Sequence, residues 1–221
     1  MMAHALRILL VEGRSDEDFY NEICGKKGLN INIKVAPPKG LGGAFNNKEG
    51  VFNFLPTLLD QLADGRVERL AVVVDADYKS EHGLGYQRTF DRVAGIVGGY
   101  GFTPVRRQNI TGTLFKSADG FHDLGLWVMP NNQNDGMLED WIKSGIAVAE
   151  HDLMKNAESA TAGLEKPRFK PIHRTKADVA TWLAWQATPG RGLGSAINSD
   201  LLDLQSAQYM QFASWLSHVF A

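Results

Sequence analysis

Two apolar runs in this chain stop abruptly at carboxylates: Leu9-Leu10-Val11-Glu12-Gly13 and Val72-Val73-Val74-Asp75-Ala76-Asp77. Apolar runs without alternation mark strands covered on both faces, as in a parallel sheet flanked by helices. Such strands deliver their last residues to one edge of the sheet, the edge where ligands bind. Glu12, Asp75 and Asp77 gathered there repel one another unless a divalent cation lies between them. Hard oxygen ligands without a Cys/His cluster favour Mg²⁺ or Mn²⁺ over zinc, and phosphate is the usual substrate of such a site.

The remaining pattern supports that sheet. Ala5–Val11 reads as the first strand, and Ser15 reads as the N-cap of a helix with Asp16, Glu17 and Asp18 in its first turn. That helix is expected to reach Cys24 or Gly25. Ile31–Val35 and Leu70–Val74 are further strands, with a helix over Glu49–Leu62 interrupted or started late by Pro56. Gly83–Gly99 encloses a helix, and Phe102–Arg106, Thr113–Lys116 and Leu124–Val128 are strand-like, the last two joined at Asp119-Gly120. Helices are predicted at Met137–Lys143, Ala147–Ser159, Lys176–Ala187 and Leu204–Phe220. The order specifies an α/β fold, a doubly wound and mainly parallel sheet, with residues 1–145 as the core and 146–221 as a helical extension packed on it.

Composition narrows the classes of function. The 221 residues suffice for a sizeable core, and 44% are hydrophobic. With 23 Lys and Arg against 25 Asp and Glu, the formal charge is −2, so the chain lacks the broad basic surface of an independent nucleic-acid binder. Contact with nucleic acid then depends on local patches, a metal ion or a partner. The single cysteine, Cys24, excludes an intramolecular disulfide and reads as core. No apolar stretch approaches a membrane span, and the first residues run straight into a strand without a basic leader, so a cytoplasmic location with no membrane association is expected.

Leu-Leu-Val-Glu-Gly-Arg-Ser-Asp (9–16) together with Val-Val-Val-Asp-Ala-Asp (72–77) resembles the Toprim domain of topoisomerases, primases, OLD-family nucleases and recombination mediators. In that family a Glu ends one strand before Gly and Asp-x-Asp ends another. The resemblance covers roughly the first half of the chain. It implies Asp75 and Asp77 as Mg²⁺ ligands and Glu12 as a ligand or proton-transfer group. The whole chain also looks like a smaller Toprim-like family known only as a domain of unknown function, the DUF3226 type, which supplies no activity.

Further candidates flank this signature. Glu139 and Asp140, after the strand Leu124–Val128, suit the additional acids of nuclease-type Toprim proteins and a second metal; the alternative is an acid-decorated helix N-terminus. OLD-type nucleases use a lysine to stabilise charge on the phosphate, and Lys176 folding back over the site would match it; the alternative is a surface lysine. Arg168, Lys170, His173 and Arg174 form a candidate phosphate-binding patch, or a solvated loop. For Asp16, helix capping is the favoured reading. Pro37-Pro38-Lys39-Gly40-Leu41-Gly42-Gly43 lacks the spacing and the ending of a P-loop and reads as an ordinary loop. The six histidines show no metal-ligand spacing, and Trp182, Trp185 and Trp215 read as core.

The leading functional reading is a Mg²⁺- or Mn²⁺-dependent phosphodiester-processing enzyme, a Toprim-type nuclease acting on nucleic acid, with an ATPase as a possible partner. The runner-up is a non-catalytic Toprim-like binding or adaptor module. A phosphotransfer enzyme with Asp75 as nucleophile ranks last, because its Asp-x-Asp normally lies on the first strand.

Overall fold

A computed structural model describes residues 5–37, 48–105 and 107–221. Among these, six strands form one sheet in the order β2-β1-β3-β6-β5-β4. They are β1 (Leu6–Val11), β2 (Asn32–Val35), β3 (Val67–Asp75), β4 (Phe102–Val105), β5 (Thr113–Ser117) and β6 (Leu124–Met129). β2, β1, β3 and β6 are mutually parallel, whereas β5 runs antiparallel to both β6 and β4. The mainly parallel, doubly wound α/β arrangement is therefore the one expected.

The helices are α1 (Arg14–Lys27), α2 (Lys48–Ala63), α3 (Gly85–Gly98), α4 (Leu138–Ser144), α5 (His151–Ala162), α6 (Arg174–Ala184), α7 (Ser195–Asn198) and α8 (Ala207–Phe220). They cover both faces of the sheet, and the strand sequences show why. Successive strand side chains point to opposite faces. Leu9, Val11, Ala71, Val73, Trp127 and Met129 thus enter one apolar core with α1, α4, α6 and α8. Ile8, Leu10, Val72, Val74, Leu126 and Val128 enter the other, with α2 and α3. The C-terminal helices share the first core with the strands. There Phe212 of α8 meets Trp127 edge-on with centroids 5.0 Å apart. A Cβ on Gly125 would stand 2.6 Å from Val219, so glycine lets α8 lie directly on β6.

Several boundaries differ from expectation for local reasons. Ser15 is not the N-cap of α1; Gly13 is, because the helix begins one residue after the glycine. The helix also passes Gly25 and ends only at Gly28, whose φ of +65° supplies the left-handed cap. α2 runs through Pro56. α6 stops at Ala184, leaving Trp185 46% exposed, whereas Trp182 and Trp215 are fully buried. Cys24 is buried, and burial pushes its thiol up to about 11. No described helix is long and apolar enough to cross a membrane.

Candidate active site

From β1 the chain moves to β2 on one side and later to β3 on the other, which makes the carboxyl ends of β1 and β3 a topological switch point. Glu12 leaves the end of β1, and its Oε1 accepts the backbone N–H of Asp75 at 2.9 Å. Asp75 in turn accepts, through Oδ1, the N–H of Leu138 at 2.9 Å. Leu138 opens α4, so its N–H is one of the donors a helix start leaves without an internal partner. Two bonds therefore lock β1, β3 and α4 together at one point.

Helices α1 and α4 both begin here and use their acids alike. Asp16 Oδ2 accepts the Gly13 N–H at 3.0 Å, and Asp140 Oδ2 accepts the Met137 N–H at 2.8 Å. In each case the third helical residue reaches back to close the first turn, as anticipated for Asp16. Asp140 is further engaged by the Tyr78 hydroxyl at 2.5 Å. Glu139 differs from Asp140. It is 9% exposed, its Oε1 lies 3.7 Å from Lys176 Nζ, and its Oε2 is buried without a hydrogen-bond partner among the described residues. Lys176, in the first turn of α6, thus stands over the acids, one of the two positions open to it from the sequence.

The electrostatics show an excess of negative charge. Burial raises Glu12 from 4.5 to about 7; Lys48 opposes the rise, while Asp16 and Asp77 add to it. Asp16 rises from 3.8 to about 6 through burial and the neighbouring Glu139, against the pull of the Gly13 N–H. Asp75 moves well above its ordinary value, first through burial and then through Glu12, Asp16 and Glu139, with Lys176 opposing. Burial would lower Lys176, but Glu139, Asp75, Asp16 and Glu12 outweigh it and hold the ammonium charged. Beneath them Tyr20 is pushed far up by burial and by the same acids.

Asp77 takes another course. β3 ends at Asp75, and a φ of +60° at Asp77 turns the chain out of the strand. Its N–H donates to Gly136 O at 2.7 Å, and its carboxylate sits 2.5 Å from Lys48 Nζ. The spacing of two that would aim Asp75 and Asp77 to one face holds only while the backbone stays extended. Lys48 is 7% exposed at the start of α2. Sequence reasoning missed this cation; its one signal was a lysine opening the helix that follows the glycine-rich run.

The proposed basic patch divides. Arg174 Nε is 3.0 Å from Asp178, and another of its nitrogens donates to Glu158 O at 3.0 Å, so it braces α6 against α5. Arg168, Lys170 and His173 are exposed. Residues 38–43 of the glycine-rich run lie outside the described residues, as do His4 and Arg106. Among the described residues, no three His, Cys, Asp or Glu side chains are arranged as they stand to hold a metal ion. The donors present are all carboxylate oxygens, the chemistry that Mg²⁺ and Mn²⁺ accept.

Over residues 6–221 the chain matches the model of a family described as "Protein of unknown function (DUF3226)". No curated protein and no solved structure matches it significantly.

Proposed function

Given that the chain belongs to the DUF3226 family, we propose that it is a Mg²⁺- or Mn²⁺-dependent phosphodiester-processing enzyme, a nuclease with a Toprim-type site. One observation carries this reading. Glu12, Asp16 and Asp75 are pushed upward at a switch point by burial and by neighbouring carboxylates, Glu139 among them, with one exposed lysine above and a buried Glu139 oxygen without a hydrogen-bond partner among the described residues. Clustered acids with upward-shifted values in a cleft are a mark of functional sites. The placement of Glu12 and Asp75 at the ends of adjacent parallel strands supports the Toprim relationship.

Glu12, Asp75 and Glu139, joined by Asp16, would hold the cation. Asp77 contributes only if it releases Lys48, and Asp140, unlike Asp16, is held both by its cap bond and by the Tyr78 hydroxyl. The ion supplies charge neutralisation at phosphorus and acidifies water. The protein's own groups do the rest. Lys176 places a fixed positive charge where a non-bridging phosphate oxygen docks. Glu12, held in place by the Asp75 N–H, serves as a ligand of the ion or, where it does not ligate, as the proton-transfer group.

Calorimetric titration with Mn²⁺ and a cleavage assay on single- and double-stranded DNA and RNA test the reading. Mn²⁺ binding is expected, together with cleavage that Asp75→Ala lowers by about 10³-fold or more. Absence of binding at millimolar metal, or cleavage indifferent to that substitution, sinks it. The second reading, a non-catalytic Toprim-like adaptor, draws on the formal charge of −2 and on the internal use of Arg174. It gains if Mn²⁺ binds and no nucleic acid is cut.

A further inference from the structure

A groove of about 350 Å³ opens directly beside the acids. Glu139 and Lys176 form the end nearest the active site, Ser15 of α1 and Ala180 and Leu183 of α6 line it further, and Arg191 and Leu193 complete it. Its far wall is fixed. Asp18 Oδ2 accepts the Gly194 N–H at 2.9 Å, and a Cβ on Gly192 would stand 2.5 Å from the same oxygen. The segment carrying Arg191 therefore lies flat against α1. Apolar surface comes from Leu183 and Leu193, positive charge from Lys176 and Arg191, and the unpartnered Oε2 belongs to the lining residue Glu139.

We infer that this groove receives the nucleoside attached to the reacting phosphate, so that the substrate is single-stranded nucleic acid. The inference rests on the phosphodiester reading of the adjoining acids. A phosphate docked under Lys176 leaves its sugar and base at the mouth of the groove. The alanine and leucine side chains accept the faces of a base, and the Arg191 guanidinium can stack on it or pair with the next phosphate. The volume lies at the lower end of small-molecule sites, room for one nucleoside. A duplex cannot offer a nucleoside to it without unpairing and unstacking it.

Fluorescence anisotropy with labelled oligothymidylate and with a duplex of equal length tests the assignment, with Ca²⁺ replacing Mn²⁺ to slow cleavage. The full chain is expected to prefer the single strand by about tenfold. Ala180→Trp, which fills the groove, is expected to remove most of that preference, and Arg191→Ala to weaken single-strand binding about fivefold. Both should bind Mn²⁺ calorimetrically as the wild type does. Arg191 is exposed, so its variant tests the groove even if Ala180→Trp fails to fold. Equal binding of the duplex, or wild-type oligothymidylate binding by both variants, overturns the assignment. Cleavage that persists unchanged in both variants removes the groove and keeps the nuclease. Weakened single-strand binding in the variants, with no cleavage by the wild type, removes the nuclease and keeps the groove.

Discussion

Asp178 and Asp75 are both withdrawn from water, and their proton affinities move in opposite directions. Asp178 is 2% exposed, and burial alone would raise it. Its oxygens, however, accept bonds from the Thr161 hydroxyl, from Arg174 at 3.0 Å and from Lys143 at 3.0 Å, and these hold it below the ordinary carboxylate value. Asp75 is less buried and has one backbone donor, with Glu12, Asp16 and Glu139 for neighbours, and it is driven well up. The desolvation is common to both; the sign of the surrounding charge decides. A carboxylate with its cations built in is a brace between α5 and α6. One surrounded by acids carries a repulsion that Lys176 offsets only in part, and it is this repulsion on which the metal-dependent reading is proposed.

The largest stability effect is expected at the satisfied cluster. Asp178→Ala takes the carboxylate from Arg174 and leaves Lys143 with Glu158, 2.6 Å away, and it should lower the stability by about 2–4 kcal/mol in urea unfolding. A loss under about 1 kcal/mol would show that the two cations relax into solvent and that the brace is not structural.

At the unsatisfied cluster the sign reverses. Asp75→Asn keeps the acceptor for Leu138 and removes one repelling charge, so the metal-free protein should gain about 1–3 kcal/mol near pH 8. The pH dependence follows the same logic. Glu12 rises from 4.5 to about 7 and Asp16 from 3.8 to about 6, so between those limits the folded chain holds protons the unfolded chain has released. Their contribution to metal-free stability is therefore fully present below the unfolded values and is lost as pH rises toward about 7. Asp178 behaves oppositely: its contribution is present above 3.8 and lost as pH falls through its depressed folded value. Thermal melts in chelator across the acidic and neutral range should show the neutral-side slope flattened by Asp75→Asn and untouched by Asp178→Ala. Added Mn²⁺ should restore most stability at the alkaline end, because ligand deprotonation favours metal.

Lys48→Met is expected to cost about 1–2 kcal/mol, since it strips Asp77 of its partner while that carboxylate keeps some access to water. No change in the urea midpoint would mean that the Lys48–Asp77 pair is dispensable, and would leave Asp77 free to join the ion. Smallest of all, Tyr78→Phe should cost about 1 kcal/mol through the lost bond to Asp140. A shift in Mn²⁺ affinity instead of stability would return Asp140 to the proposed ligand set.

Much of this arrangement was legible before any coordinates. The apolar runs ending at Glu12 and Asp75 located two strand ends at one edge, because strand side chains and sheet topology follow short-range pattern. Glu139 was reachable because it follows an apolar strand, and Lys176 through the resemblance to OLD-type nucleases. Asp16 was correctly placed as a cap, but its membership of the acid cluster was not visible, since that depends on α4 bringing Glu139 beside it. Lys48 escaped notice because its partner Asp77 lies just past the end of β3 in a different stretch of chain and the glycine-rich run before it encodes no recognisable spacing. Arg174 read as part of a phosphate-binding patch or of a solvated loop, yet its partner Asp178 is one helical turn away, a local i,i+4 pair.

The sequence by itself determined the strands, most of the helices, the α/β class and the acids at the ends of β1 and β3. Those follow from periodicity and from where apolar runs stop, which are properties of neighbouring residues. Only the tertiary structure decided which carboxylates are satisfied. It gave Asp178 to Lys143 and Arg174, gave Asp77 to Lys48, and left Glu12, Asp16, Asp75 and Glu139 with one another and Lys176. Apart from the local Arg174–Asp178 pair, these contacts join side chains brought together from distant parts of the chain, and no pattern of neighbours encodes them.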